Sequence, residues 1–143
     1  MSDIALAHAI YLSKISGAEI VILNVIEDIG KYTPTAILAT MKGQAATVSE
    51  KGKSDLEITM EGEVKKMIDE RMELCREAGV TSQVSYKIQT GKAVDEIVKL
   101  SEEMDFDLII MASSRITSPI RLIGSTIRKV IDSIKKPVLV IHE

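Results

Sequence analysis

Asp107-Leu108-Ile109-Ile110-Met111, the loop Ala112-Ser113-Ser114-Arg115-Ile116-Thr117-Ser118-Pro119-Ile120-Arg121-Leu122-Ile123, the helix opening Gly124-Ser125-Thr126-Ile127-Arg128-Lys129-Val130 and the closing run Pro137-Val138-Leu139-Val140-Ile141 together decide the fold. The first run is short, aliphatic and without alternation, as a strand covered on both faces requires. The loop is polar. Ile127, Val130, Ile131 and Ile134 then form the inner stripe of a helix, and Pro137 prevents its continuation. Strand, helix and strand in this order imply parallel pairing through a right-handed crossover.

The same alternation extends towards the N-terminus. Ser2 is a good N-cap for a helix through about Ser16, with Ile4, Tyr11, Leu12 and Ile15 on one face. Ala5, Ala7 and Ala9 permit close packing, Gly17 suits the C-cap, and His8 reads as a partly buried packing residue. Glu19 to Ile26 is a nearly continuous β-branched and aliphatic run, again a buried strand. From Glu27 to Ser54 the pattern blurs, interrupted by Gly30, Pro34, Gly43 and Gly52. That segment is expected to be a mobile excursion at about 27–54, with a short helix over Thr35–Met41, inside a single domain spanning 1–143. A long amphipathic helix follows from about Ser54 to Ala78. Its predicted inner face is Leu56, Met60, Val64, Met67, Leu74 and Cys75, and Glu63, Lys66, Glu70 and Glu73 mark its solvated side. Val84 to Ile88 alternates, as a strand near a sheet edge does. Ala93, Ile97, Leu100 and Met104 form one more helical stripe. The fold class is therefore α/β, an open parallel sheet with helices on both faces. One oddity is that a helix comes first, with no strand feeding it.

Composition narrows the function. A net charge of −3 lacks the basic excess of a nucleic-acid-binding surface. Aromatics at 3 %, with no Trp, give no base-stacking platform. The single Cys75 can form neither an intramolecular disulfide nor a cysteine metal cluster. No apolar run is long enough to span a bilayer, and no basic region precedes an apolar block at the start; a cytoplasmic location is the expectation.

The loop and helix opening are where chemistry could reside. Open α/β sheets bind ligands outside the carboxyl ends of their strands. A helix N-terminus there offers free N–H donors and partial positive charge, which suit phosphate. Ser113, Ser114, Thr117 and Ser118 supply hydroxyls after a buried strand, Arg115 and Arg121 supply cations, and Gly124, Ser125 and Thr126 lie at the turn into the helix. Two readings stand side by side: helix capping with solvated arginines, or an anion site. The P-loop pattern and the nucleophile elbow are both absent, and no nucleophile, base and orienter set emerges. No catalytic residue is therefore assigned. Val138 to Ile141 is apolar and terminal, so it is expected at a sheet edge, where pairing with its copy in a two-fold dimer would cover it.

The chain resembles the universal stress protein family along essentially its whole length. The resemblance is strongest in Ser2-Asp3-Ile4-Ala5-Leu6-Ala7-His8-Ala9, in Ile22-Leu23-Asn24-Val25-Ile26-Glu27 and from Asp107 through Ile141. It implies a Rossmann-like fold with a five-stranded parallel sheet, a homodimer through the last strand, and an adenine nucleotide, ATP or AMP, as ligand, with magnesium accompanying ATP. It further implies a regulatory module and not an enzyme; the alternative is a partner-binding module of the same fold that takes no nucleotide. Nucleotide-binding members carry Gly-x2-Gly-x9-Gly-[Ser/Thr] after the fourth strand. Here Met111 matches the residue before the first glycine, Ala112 and Arg115 stand at the two leading glycines, and the stretch to Gly124 is one residue short. Gly124-Ser125 matches the end of the motif, and Thr126 takes the next position. Val25 matches the second-strand position whose backbone meets adenine. Family members begin with a strand and an Asp-containing loop, and this sequence starts where that loop ends. The first strand of the family, which is central, is thus expected to be missing. Either the chain is a shortened form of a longer product, or another segment or a partner chain fills the gap.

Overall fold

Two glycines with left-handed backbone end the first two helices. Gly17, at φ 73°, donates its N–H to Ser13 O at 2.8 Å and closes α1 (Asp3–Ser16). Gly79, at φ 85°, donates to Arg76 O, and Val80 donates to Cys75 O at 3.1 Å, a Schellman closure of α2 (Glu50–Glu77). Between them runs β1 (Ile20–Ile26), and the chain continues through β2 (Val84–Thr90), α3 (Ala93–Glu103), β3 (Ile109–Ser113), α4 (Ser125–Ser133) and β4 (Val138–His142). This computed structural model describes residues 3–27, 50–113 and 124–142.

The described strands form two parallel pairs, β1 with β2 and β3 with β4, and not one sheet. Ile20 pairs with Val84 through to Ile26 with Thr90, and Ile109 pairs with Val138 through to Ser113 with His142. Each pair is a βαβ unit, so the parallel alternation read from the sequence holds. Among the described residues each of the four strands has one partner.

The largest buried cluster sits on one face of the first pair. Leu6 of α1, Ile20 and Ile22 of β1, and Ile68 and Cys75 of α2 close it, with Ala9, Ile10, Val64, Met72 and Val84 packed around. Ser13 is also buried there, its hydroxyl donating to Ala18 O at 2.6 Å. The inner face of α1 is therefore Leu6, Ala9, Ile10 and Ser13. Tyr11 and Ile15, expected inside, are both 64 % exposed. His8 is exposed as well, its Nδ1 2.8 Å from Ile4 O. Small residues win this face because they let the helix lie close to β1, and a bulky tyrosine would hold it off. On α2 the same correction applies. Ile68 is fully buried, while Leu74, one position before Cys75, is 48 % exposed. α2 also starts at Glu50, four residues before the expected Ser54. Gly52 costs a helix about 1 kcal/mol, too little to halt one that has Glu50, Lys51 and Lys53 around it. The expected helix at Thr35–Met41 and most of the 27–54 excursion lie outside the described residues.

α3 and α4 pack on each other, α3 also meets β1, and α1 packs on β3 as well as on β1. Leu100, Ile127 and Val130 are buried, whereas Ile131, expected on the inner stripe, is 41 % exposed. β3 begins two residues later than Asp107, because Asp107 and Leu108 are exposed and unpaired in the ladder. Lys136 ties the base of this half together: its Nζ lies 3.0 Å from Asp105 Oδ1 and 4.8 Å from the centroid of the Phe106 ring.

Candidate functional site at the carboxyl ends of the strands

β3 ends at Ser113, 6 % exposed, and α4 begins at Ser125, so the chain leaves a buried strand and re-enters at a helix N-terminus. Ile127 and Val130, buried at 5 % and 0 %, anchor the helix and leave Ser125 exposed and Thr126 half-buried. Gly124 has φ −54° and ψ 150°, and its carbonyl accepts the first helical bond from Arg128 N–H at 3.1 Å. No side-chain cap bond is made here. The capping reading left open by the sequence is thus not realised through a side chain.

The reason for glycine at position 124 is not conformational, since φ −54° suits any residue. Nor is it crowding, because a Cβ built there meets no heavy atom within 4 Å among the described residues. Gly91 makes the contrast: φ is 149° and a Cβ would meet Glu96 Oε1 at 3.0 Å. Among the described residues nothing crowds Gly124 beside amides that lack intrahelical acceptors. α4 carries no acid in its first turn, and Arg128 and Lys129 follow, both exposed. These two cations lie within the first turn and a half of the helix. Sequence reasoning placed them on the helix but not in the site; their position within the first turn and a half was the available signal.

Other expected residues are distributed as follows. Met111 and Ala112 line a cavity of about 750 Å³ together with Val21, Leu23, Leu100 and Met104. Gly124, Ser125 and Thr126 are not part of that lining. Val25 sits in β1 opposite Gln89 of β2. Ile20 N–H donates to Gln83 O and Ile26 O accepts from Gly91 N–H, so even-numbered residues of β1 bond to β2. Backbone groups alternate direction along a parallel strand, and the Val25 N–H and C=O therefore face away from β2. Arg115 and Arg121 lie outside the described residues, as do Ser114, Thr117 and Ser118. Among the described residues no group of three metal-ligating side chains occurs.

Among the described residues three titrating groups are displaced from their ordinary values, all on α2, the Arg76 guanidinium being raised by its hydrogen bonds to Glu73. The hydrogen bonds from Arg76 hold the Glu73 carboxyl below its usual range, and burial raises the Cys75 thiol. Among the described residues no helix is long and apolar enough to cross a membrane.

The sequence profile of the universal stress protein family matches residues 1–142. Hypothetical protein MJ0577, the subject of a structure-based assignment of biochemical function, is similar to this chain at 26 % identity and a TM-score of 0.71, covering 99 % of this chain and 87 % of its own. A universal stress protein in complex with cAMP is similar at 21 % identity and a TM-score of 0.57, covering 96 % and 84 %. The universal stress protein from Archaeoglobus fulgidus in complex with dAMP follows at 18 % identity and 0.59, covering 95 % and 83 %. No curated protein matches the sequence. Parallel βαβ units, the helix opening at Gly124 and a family match along nearly every residue converge: the chain belongs to the universal stress protein family.

Proposed function

We propose that this protein is a cytoplasmic regulatory module that binds an adenine nucleotide, ATP or AMP, as a homodimer and is not an enzyme. The helix start at Gly124, where among the described residues no side chain caps the first amides and no heavy atom lies within 4 Å of a built Cβ, carries the reading. The complexes of family members with cAMP and dAMP support the ligand class. In this reading Gly124, Ser125, Thr126 and Ser113 receive the phosphates, Arg115 or Arg121 assists, and Val25, Met111 and Ala112 flank the adenosine. Magnesium accompanies ATP through the phosphates, with no protein ligand cluster required. Equilibrium binding of labelled ATP and AMP tests it. Saturable binding that Thr126→Glu abolishes is expected, because an acid at the first turn repels phosphate. Metal-dependent phosphate release above background, reduced by Ser125→Ala and Thr126→Ala, would instead make the protein an ATPase.

Ala112 favours a second reading. It carries a Cβ where nucleotide-binding members have the first motif glycine, one residue before β3 ends at Ser113. A partner-binding module without nucleotide follows if neither ligand binds at millimolar concentration.

The dimer reading rests on β4. Ile109 N–H donates to Pro137 O, so the backbone of Leu139 and Ile141 faces β3 and that of Val138 and Val140 faces outward. Val140→Pro removes an outward donor and spares the ladder. It is expected to convert dimer to monomer in sedimentation with the fold retained.

A further inference from the structure

Gly91 does more than turn the chain after β2. Its N–H donates to Ile26 O at 3.0 Å, which fastens the end of β2 to the end of β1. A Cβ built on it would meet Glu96 Oε1 at 3.0 Å and Glu96 Cγ at 3.3 Å. The Glu96 side chain therefore lies folded against the Gly91 backbone, in space that any other residue would fill. Glu96 stands near the start of α3 and is half-buried. Among the described residues its carboxylate has no hydrogen-bond or ion-pair partner. The helix dipole does not require it, because the exposed Asp95 already supplies an acid in the same turn. What remains is a half-buried acceptor, held against the strand ends and lacking a donor.

Its place in the fold says where the donor would come from. α3 leaves the carboxyl end of β2, crosses towards β3 and meets β1 on the way. Its start thus stands at the carboxyl end of β1. Ile26, bonded to Gly91, directly follows Val25, whose N–H and C=O face away from β2. Adjacent strands are about 4.8 Å apart, so one strand spacing separates Gly91 from the chain of β1.

We propose, on the nucleotide reading above in which Val25 flanks the adenosine, that Glu96 selects the base: its carboxylate accepts a hydrogen bond from the 6-amino group of adenine. An ionised carboxylate has lone pairs and no proton to give. It receives the amino group of adenine and repels the carbonyl oxygen that a 6-oxo purine presents at the same position. Gly91 serves the selection by leaving room for the side chain.

The test uses the whole chain and two nucleotides that differ in one group, AMP and purine riboside 5′-monophosphate, which lacks the 6-amino group. Equilibrium binding of both is measured for the wild type, Glu96→Ala and Glu96→Gln, with the unfolding midpoint of each protein. The wild type is expected to prefer AMP. In Glu96→Ala that preference should fall about tenfold or more, as loss of one hydrogen bond to a charged group requires. Glu96→Gln keeps a carbonyl acceptor and should keep part of the preference. It should also bind IMP more tightly than the wild type does, since an amide can turn its N–H₂ towards the 6-oxo group. An AMP preference unchanged in Glu96→Ala overturns the proposal and leaves nucleotide binding standing; weakening of both nucleotides by one factor is the same result, the mark of a merely structural carboxylate. Should Glu96→Ala not fold, IMP decides on Glu96→Gln, and unimproved IMP binding overturns the proposal. No saturable binding of AMP to the wild type overturns the nucleotide reading and this one together.

Discussion

Among the described residues, the buried side chains Leu6, Ile20, Ile22, Ile68 and Cys75 form one cluster around β1 and β2, whereas those buried in the other half are Leu100, Ile127 and Val130, with Ser113 at the end of β3. The first half has a helix of 28 residues lying over it, the second a helix of nine. The units are topologically alike and differ in purpose. One half stores cohesion in a dense apolar face; the other keeps hydroxyls, a glycine and exposed amides where a ligand could reach them. Binding elements are commonly drawn from the less cohesive part of a structure.

The comparison is broken most forcefully at Ile68. Ile68→Ala empties the centre of the packed half and should cost about 2–5 kcal/mol in chemical denaturation. A loss under about 1 kcal/mol would mean the halves do not differ in cohesion. Next come two glycines. Gly79→Ala forces a Cβ into left-handed backbone at φ 85° and should cost about 1–2 kcal/mol. Gly124→Ala meets neither strain nor neighbours and should leave stability within about 0.5 kcal/mol. If both substitutions weaken the fold alike, position 124 is structural and not reserved for a ligand. Thr126→Glu sharpens the point further. An acid in the first helical turn should raise stability by about 0.3–1 kcal/mol while nucleotide binding disappears. The smallest effect belongs to Arg76→Ala. The depressed Glu73 value then returns to the ordinary carboxylate range in an NMR titration, with the unfolding midpoint unmoved, since the pair is solvated. The sign follows from linkage: a lowered folded value stabilises above the unfolded value and is lost as pH falls through the folded one.

Much of this organisation was readable from periodicity. The order of helices and strands and their parallel pairing follow from short aliphatic runs, stripes and glycine stops. What periodicity misjudged was which stripe turns inward. On α1, Tyr11 and Ile15 are the greasier choice, yet Leu6, Ala9 and Ser13 face β1, because close approach selects small residues. At Leu74 and Ile131 a neighbour one position away took the interior, and hydropathy alone does not separate adjacent aliphatic residues. The division into two pairs was foreshadowed by the helix at the start and by the family resemblance around it. Of the candidate site, the Gly124 corner was legible as a helix opening, but that no described residue crowds it is a property of three-dimensional packing.

Cys75 lies at the heart of the packed half, fully buried and unique in the chain. A thiol reagent can reach it only when α2 lifts from the strands beneath. Its rate of alkylation therefore acts as a clock for the opening of that half alone, read from one atom with no engineered label. Run with and without nucleotide, such a clock would report whether events at the far half are felt across the molecule.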